Sequence, residues 1–266
     1  MRGKTMILDP INSITSVNFY RKVAAQSVAR SMLYLVYLAL IFSLAGTIAW
    51  KLKVEPIVVD TFQWLETQIP AITFSNGRAS SSLSGPTTVR HPNIAEIAFT
   101  IDTQRTEPVT PQTLQDSKVL AYLTANALYL QREPGRVEVY PLTNMQSKPV
   151  IIDSAFYRSA RSIMSRVLTF IVPVVILPLF FLWKTLSSLF YSLIALLING
   201  VMGASLGYGS LFSISVYAQT IVIALQTIFL FMPRGIPLFP FIAVAVTGTY
   251  IWLAIRKNAE TEPART

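Results

Sequence analysis

The stretch "VLTFIVPVVILPLFFLW" (Val167–Trp183) opens the apolar half of the chain and decides the fold class. From Val167 to Ile255 the only charged residues are Lys184 and Arg234. About 20 consecutive apolar residues are enough for a helix to cross the hydrocarbon core of a bilayer. A nearly uncharged run of this length therefore predicts several membrane-spanning helices.

Charges and turn residues divide this run into four predicted spans, and a further span precedes them. "SMLYLVYLALIFSLAGTIAW" (Ser31–Trp50) is uncharged and long enough to cross once, and residues 1–30 are too long and too polar for a signal peptide. In the C-terminal run, Lys184 and "GASLGYGS" (Gly203–Ser210) interrupt the apolar pattern. The five predicted spans are residues 31–50, 167–183, 186–206, 211–232 and 235–255.

The composition excludes several kinds of site. Hydrophobic residues make up 52% and charged residues 13% of the chain, against about 25% charged residues in an average soluble domain. The net charge of +9 is spread along the flanks of apolar runs, so no nucleic-acid partner is expected. The chain has no cysteine and a single histidine, His91, so we expect no disulfide, no usual metal site and no cofactor.

Basic residues before the first apolar run indicate its orientation. Arg21, Lys22 and Arg30 predict a cytoplasmic N-terminus, because basic residues concentrate on the cytoplasmic side of a span. Five crossings then place residues 51–165 and the C-terminal tail on the outer side. Charge alone leaves the side of the tail open, because Arg256 and Lys257 follow the last span.

These observations predict an integral membrane protein that is mainly α-helical. It would have five transmembrane helices, one N-terminal and four C-terminal, with a small extracytoplasmic α+β domain between spans one and two. The expected segments are a cytoplasmic N-terminal segment (1–30), transmembrane helix one (31–50), the α+β domain (51–165), a four-helix transmembrane bundle (166–256) and a polar, extracytoplasmic C-terminal tail (257–266).

Within the predicted α+β domain, local patterns indicate one helix and several strands. Residues 59–69 have apolar residues at helical spacing, and Pro70 ends this helix. Asn76-Gly77 is a strong hairpin signal, and residues 127–142 suggest a second hairpin around Pro134-Gly135. A buried strand is expected within residues 94–102. The segments 82–88 and 106–111 are expected to be loops.

"FYRSARSIMSR" (Phe156–Arg166) predicts an amphipathic helix that leads into the second span. Its apolar stripe consists of Phe156, Ala160, Ile163 and Val167. Its candidate interface-anchoring residues are Arg158, Arg161 and Arg166. The stripe either packs under the outer domain, which is the commoner arrangement, or lies on a surface of anionic lipid headgroups.

Three polar residues within the predicted spans form a possible intramembrane cluster, namely Asn199, Gln219 and Gln226. They either form interhelical hydrogen bonds or line the path of a solute. "GASLG" (Gly203–Gly207) also matches the nucleophile elbow of hydrolases, but no histidine or aspartate follows Ser205, so helix packing is the preferred interpretation. We therefore predict no catalytic residue.

Several short motifs together resemble a known family. They are "FYR" (19–21), "IPAITFSNGRAS" (69–80), "AFTIDTQ" (98–104), "LYLQREPGRVEVYPL" (128–142) and "SISVYAQT" (213–220). Across residues 18–255 the chain resembles the bacterial membrane proteins catalogued as domain of unknown function 1189, DUF1189. That family is distantly similar to Yip-type membrane proteins, so the resemblance implies five spans and an exported C-terminus. It also implies a location in the bacterial inner membrane. It implies no catalytic residue.

Two functions are compatible with these predictions. The first is a non-enzymatic scaffold or accessory factor for a membrane or envelope partner, with the lipid bilayer and an unidentified protein as partners. The alternative is a transporter or channel-like carrier of a neutral or lipid-like solute, for which the three intramembrane amides would line the path.

Overall fold

The computed structural model describes residues 6–94, 97–133, 135–144, 148–233 and 235–260. The chain divides into two compact units. The helical unit comprises Met1–Leu52 and Thr169–Thr266, and the sheet unit comprises Lys53–Leu168. The predicted combination of a mainly helical protein with a small sheet domain is therefore confirmed.

The α-helices of the described residues are α1 (Asp9–Thr15), α2 (Phe19–Ala24), α3 (Val28–Lys53), α4 (Glu55–Gln68), α5 (Pro111–Ser117), α6 (Ser154–Val201), α7 (Tyr208–Ala218), α8 (Thr220–Phe229) and α9 (Phe239–Ala259). The strands are β1 (Ile72–Ser75), β2 (Arg78–Ser81), β3 (Thr87–Arg90), β4 (Ala98–Asp102), β5 (Ala121–Thr124), β6 (Ala127–Glu133), β7 (Arg136–Pro141) and β8 (Val150–Ile152). Two short 3-10 helices cover Met6–Leu8 and Leu142–Asn144.

Within the described ranges, four helical segments are long and apolar enough to cross a membrane. They are Val28–Gln68, Ser154–Val201, Tyr208–Phe229 and Phe239–Ala259. The number expected from the sequence was five. The difference arises in α6, because the segments predicted as spans two and three lie in one continuous helix of 48 residues.

The expected break at Lys184 is absent for a physical reason. A single lysine interrupts the hydropathy pattern, but lysine is a good helix former and leaves the backbone hydrogen bonds intact. Pro173 and Pro178 also lie inside α6 without ending it. The other expected break is confirmed, since α6 ends at Val201 and α7 begins only at Tyr208.

The N-terminal segment packs against the helical unit. Tyr20 and Val23 of α2 are fully buried. The Tyr250 hydroxyl of α9 donates to the carbonyl of Ile14 at 2.9 Å, and Nε of Arg21 donates to the carbonyl of Lys257 at 3.3 Å. The chain just before α3 therefore lies beside the C-terminal end of α9. The expectation that an odd number of crossings separates the two chain ends stays a prediction.

Aromatic pairs join the helices of this unit. The rings of Tyr34 in α3 and Tyr217 in α7 stack with centroids 3.9 Å apart, and the Tyr34 hydroxyl bonds the Thr220 hydroxyl at 2.9 Å. Phe42 of α3 and Phe180 of α6 stack at 3.8 Å. Such pairs fix the contact between helices where the apolar side chains alone would allow sliding.

The sheet unit contains a five-stranded and a three-stranded sheet. The larger has the order β3-β4-β5-β6-β7, in which only β4 and β5 are parallel. The smaller has the order β2-β1-β8, with β8 at its edge and all pairs antiparallel. In the smaller sheet β1 pairs with β8, which lies about 80 residues further along the chain. This pairing brings together the first and last strands of the sheet unit.

The two hairpins predicted in this unit from turn residues are confirmed. Asn76 and Gly77 have φ of 48° and 74° and join β1 to β2, as a type I′ turn requires. β6 and β7 form the second predicted hairpin. The helix expected at residues 59–69 is α4, which starts four residues earlier, and Pro70 follows its end. The segment 82–88 is only partly a loop, because β3 begins at Thr87.

Candidate functional site

The three polar residues expected to form an intramembrane cluster make separate local contacts. Nε2 of Gln219, at the junction of α7 and α8, donates to Oγ of Ser188 at 2.7 Å and to the carbonyl of Ser215 at 3.3 Å. Nδ2 of Asn199 donates to the carbonyl of Leu206 at 3.4 Å. The side-chain carbonyl oxygens of Asn199, Gln219 and Gln226 are buried without a partner in the described part of the chain.

These contacts do not place the three amides at one point. Asn199 and the Gln219 partner Ser188 are eleven residues apart on α6, which is about 16 Å of helix rise. Gln226 follows Gln219 by seven residues, or about 10 Å on the same scale. The two cavities described below lie in the sheet unit and are lined by none of the three residues.

Two buried charges in the helical unit were missed by sequence reasoning. Lys184, interpreted as an anchor at a span end, is only 4% exposed, and its ammonium group lies 5.5 Å from the ring centroid of Phe180. Asp9, expected in a polar cytoplasmic segment, is 3% exposed. Only the alternation of apolar and small residues around Asp9 hints at its burial, and that signal is weak.

The carboxylate of Asp9 lies among three polar groups. Its oxygens are 3.7 Å from a guanidinium nitrogen of Arg30, 3.9 Å from Nζ of Lys22 and 3.5 Å from the hydroxyl of Tyr217. The side chains of Arg30 and Lys22 are 35% and 45% exposed. These contacts attach α1 to α3 and α7, so the arrangement holds the N-terminal segment against the helices.

The predicted amphipathic helix at the start of α6 is present, but its apolar stripe is exposed. Phe156, Ile163 and Val167 all have large exposed fractions. The stripe therefore does not pack under the sheet unit. The intervening Tyr157, half-buried, provides the contact with that unit by lining its main cavity.

The three candidate anchoring arginines have different surroundings. Arg158 forms an ion pair of 2.9 Å with Glu66 of α4, and a guanidinium nitrogen of Arg166 donates to Oγ of Ser162 at 3.0 Å. Arg161 lies half-buried between them in sequence. A shallow groove of about 380 Å³ is lined by Arg158, Ser159, Ser162, Ile163 and Arg166.

A cavity in the sheet unit has a volume of about 570 Å³. It lies between the two sheets and is closed at one end by residues of α4 and α6. Most of its lining side chains are large and apolar. They include Ile72, Phe74, Ile101, Leu123, Leu128 and Leu142.

Strand alternation explains why one sheet face lines this cavity. Successive side chains of a strand point to opposite faces. In the five-stranded sheet, Phe99, Ile101, Ala121, Leu123, Leu128 and Leu130 share the cavity face. Ala98, Tyr122, Ala127 and Tyr129 share the opposite face and form a separate core cluster with Leu114 of α5. One face of the five-stranded sheet therefore packs against α5, and the other face lines the cavity.

Two polar side chains lie at opposite ends of edge strand β8 and line the cavity. Lys148 precedes β8, is exposed, and makes no ion pair or hydrogen bond with any described residue. Tyr157 follows β8 on α6 and is half-buried. No aspartate or glutamate is among the lining residues.

The only histidine has a structural position rather than a place in the cavity. Nδ1 of His91 accepts hydrogen bonds from the backbone N–H groups of Asn93 and Ile94 at 3.2 and 3.1 Å. Nε2 faces a carboxylate oxygen of Asp60 at 3.6 Å. In the described ranges, no group of three or more histidine, cysteine, aspartate or glutamate side chains is placed to hold a metal ion.

Comparison with known proteins gives one match. The model of a family described as "Protein of unknown function (DUF1189)" matches residues 10–255. No curated protein and no solved structure matches the chain. The matched residues include all the elements from α2 to α8 and most of α1 and α9, and hence the whole cavity.

Proposed function

Since the chain belongs to the DUF1189 family, we propose a function from the cavity that lies within the family region. The protein is a multi-pass protein of the bacterial inner membrane whose sheet unit binds an apolar, lipid-like molecule. The single observation that carries this proposal is the cavity of about 570 Å³ between the two sheets, with its almost wholly apolar lining.

The size of the cavity favours a ligand over a packing defect. The cavity is partly open to solvent, so its apolar lining contacts water when no ligand is bound. A bound apolar molecule removes this surface from water, which is favourable. The volume of about 570 Å³ falls within the usual range for ligand sites.

The volume and the apolar lining of the cavity favour an acyl chain. A methylene group is close in size to a water molecule, whose share of liquid volume is about 30 Å³, so the cavity holds on the order of 15 to 20 carbon atoms. Each buried methylene contributes about 0.8 kcal/mol. The only ionisable lining side chains are Lys148 and Tyr157, at opposite ends of β8, and they form no acid–base pair. We infer that the ligand is bound rather than chemically changed.

The position of the unit in the chain supports a role near a membrane. Residues 53–168 are joined at both ends to long apolar helices, α3 and α6. A binding domain joined in this way stays near the lipid surface from which an apolar ligand comes. Arg21, Lys22 and Arg30 before α3 favour an extracytoplasmic position for the sheet unit.

Filling the cavity tests this proposal. Ala121 lines the cavity, so Ala121→Trp places an indole in the empty volume. We expect the affinity of the full-length protein in lipid nanodiscs for a fluorescent fatty acid to fall at least tenfold, with the melting temperature unchanged or raised. Filling an apolar cavity adds packing contacts and does not overpack a closed core.

Ala127→Trp is the matched control, because Ala127 faces the core cluster on the other side of the same sheet. Overpacking there is expected to cost about 1–3 kcal/mol of stability and to leave the affinity of the folded fraction unchanged. If Ala121→Trp bound the probe as tightly as the unaltered chain does, the cavity would not be the binding site.

A protein partner, as expected for a scaffold or accessory factor, is a second proposal with its own support. Large apolar side chains are exposed on α6 from Phe170 to Val201, a length of about 48 Å. Even at a tilt of 40°, about 37 Å of this length lies along the bilayer normal, more than the hydrocarbon core of about 30 Å. We propose that a partner helix covers the excess at the Phe170 end of α6.

Photocrosslinking distinguishes a partner from lipid. Val174 and Leu197 are both 71% exposed on α6, about 34 Å apart in helix rise. With a benzophenone amino acid at either position in native membranes, we expect a discrete protein adduct at position 174 and only lipid adducts at position 197. Identical patterns at the two positions would contradict a partner at the Phe170 end.

A further inference from the structure

Among the described residues, one charged side chain lines the cavity in the sheet unit. It indicates the charge of the ligand's head group, whereas the apolar lining indicates only its tail. Lys148 lines the cavity two residues before β8, and Val150 and Ile152 of β8 line it as well. The aliphatic stem of a lysine covers apolar surface while its ammonium group stays in water. Lys148 therefore marks the point at which the cavity meets solvent.

This ammonium group has no partner in the part of the chain that the structure describes. Two other surface cations of the unit, by contrast, are paired, namely Arg158 with Glu66 and Arg132 with Glu138. Among the described residues, no aspartate or glutamate lines the cavity, so no described carboxylate of the lining offsets the charge of Lys148. An anion placed there gains an attractive interaction without displacing a carboxylate.

From this juxtaposition, and on the basis of the proposed function, we propose that the cavity binds a single-chain anionic amphiphile. Its carboxylate or phosphate head lies beside Lys148. Its tail runs between the sheets along β8, past Ile72 and Ile152, toward Ile69 and Tyr157 at the closed end. Four residues of extended chain separate Lys148 from Ile152, about 13 Å, so the head and the tail end lie in different parts of the cavity.

The strand register determines this direction. Val150 pairs with Phe74, and Ile152 pairs with Ile72. Ile72 directly follows the segment that leads out of α4, so the Ile152 end of β8 faces the helical end of the cavity. The Lys148 end faces the β1–β2 turn, which packs against the short 3-10 helix Leu142–Asn144. The exposed charged group is therefore at one end of the cavity, and the residues of α4 and α6 are at the other.

Ligands that differ only in their heads test the proposal. We would measure the binding of hexadecanoate, hexadecyl phosphate and neutral hexadecanol to the full-length protein in nanodiscs of neutral lipid. We expect both anions to bind at least tenfold more tightly than hexadecanol, with a preference that falls as the salt concentration rises. The two anions distinguish a carboxylate from a phosphate head.

Lys148→Gln removes the charge and keeps most of the stem. We expect this variant to bind the anions only as tightly as hexadecanol, while its affinity for hexadecanol is unchanged. Lys118→Gln, an exposed lysine of the same unit outside the cavity lining, is the matched control and should retain the preference.

The outcomes separate this inference from the proposed function. Equal binding of hexadecanol and the two anions by the unaltered protein would overturn the role of Lys148 and leave an apolar site. An anion preference that persists in Lys148→Gln would also overturn that role. If none of the three compounds bound, the proposed function would fail together with the inference.

Discussion

A membrane-impermeant maleimide should label a cysteine at position 85 in intact cells, and should not label a cysteine at position 18 or 260. The physical reason is the even number of long apolar helices, four among the described residues. The chain before α3 also contacts the end of α9 through Arg21 and Lys257. An even number of crossings returns the chain to the side on which it began, so both ends would be cytoplasmic.

The chain is well suited to this measurement because it has no cysteine of its own. Asn18 and Glu260 are exposed, and a side chain added at Gly85 would meet no atom within 4 Å. We therefore expect Asn18→Cys, Gly85→Cys and Glu260→Cys to fold normally. Labelling should be close to all or none, since an impermeant reagent reaches one side of the membrane only.

Permeabilised cells supply the control, because all three cysteines should then react. Labelling of Glu260→Cys in intact cells, with Asn18→Cys protected, would instead require an odd number of crossings. That result would restore the exported tail predicted from the sequence and would mean that α6 does not cross as a single helix.

The sequence predicted those elements whose cause is local. Asn76-Gly77 specifies its turn because both residues accept positive φ, and the structure has that turn. The apolar run at residues 31–50 lies within α3, and the glycine-rich segment after Val201 separates α6 from α7. In each case the deciding interaction lies within a few residues of the signal, so no knowledge of the tertiary structure was needed.

Local signals did not predict the continuity of α6 or the number of long helices. Hydropathy reports how favourably side chains transfer from water to an apolar phase, so Lys184 lowers the hydropathy of the segment. It does not interrupt the backbone hydrogen bonds that make the helix continuous. The burial of Lys184 depends on helices that are distant from it in the sequence. It is therefore a tertiary property, which the sequence of α6 alone does not determine. The N-terminal segment shows the same limit, since Asp9 is buried only by its contacts with α3 and α7.

The cavity was also beyond sequence reasoning. Its walls come from β1, β4, β5, β6 and β8, and the pairing of β1 with β8 joins residues about 80 positions apart. The signal was a set of short apolar strands, of which β5 and β8 were not recognised because they have only four and three residues. Sequence reasoning selected the polar amides of the helices instead, because a polar residue within an apolar run can be recognised without knowledge of the tertiary structure.

Arg30→Ala should release α1 and α2 from the helical unit far more than Asp9→Asn does. Removal of Arg30 leaves the carboxylate of Asp9, whose side chain is 4% exposed, with only Lys22 at 3.9 Å as a cationic neighbour. Loss of one partner of a buried ion pair costs about 3–5 kcal/mol. The long contact distances and the partial exposure of Arg30 reduce the expected cost to about 3 kcal/mol. Asp9→Asn leaves two hydrated cations and should cost about 1 kcal/mol.

Hydrogen exchange of the backbone amides of residues 11 to 24 measures this difference. A cost of about 3 kcal/mol corresponds to roughly 100-fold faster exchange in Arg30→Ala, against about fivefold in Asp9→Asn. In the double variant the exchange should return close to the rate of Asp9→Asn, since the uncompensated carboxylate is gone. Arg132→Ala removes an exposed ion pair with Glu138 and should leave these amides unchanged. Equal exchange in Arg30→Ala and Asp9→Asn would show that the buried carboxylate does not depend on Arg30, and that apolar contacts of Tyr20 and Val23 hold the segment instead.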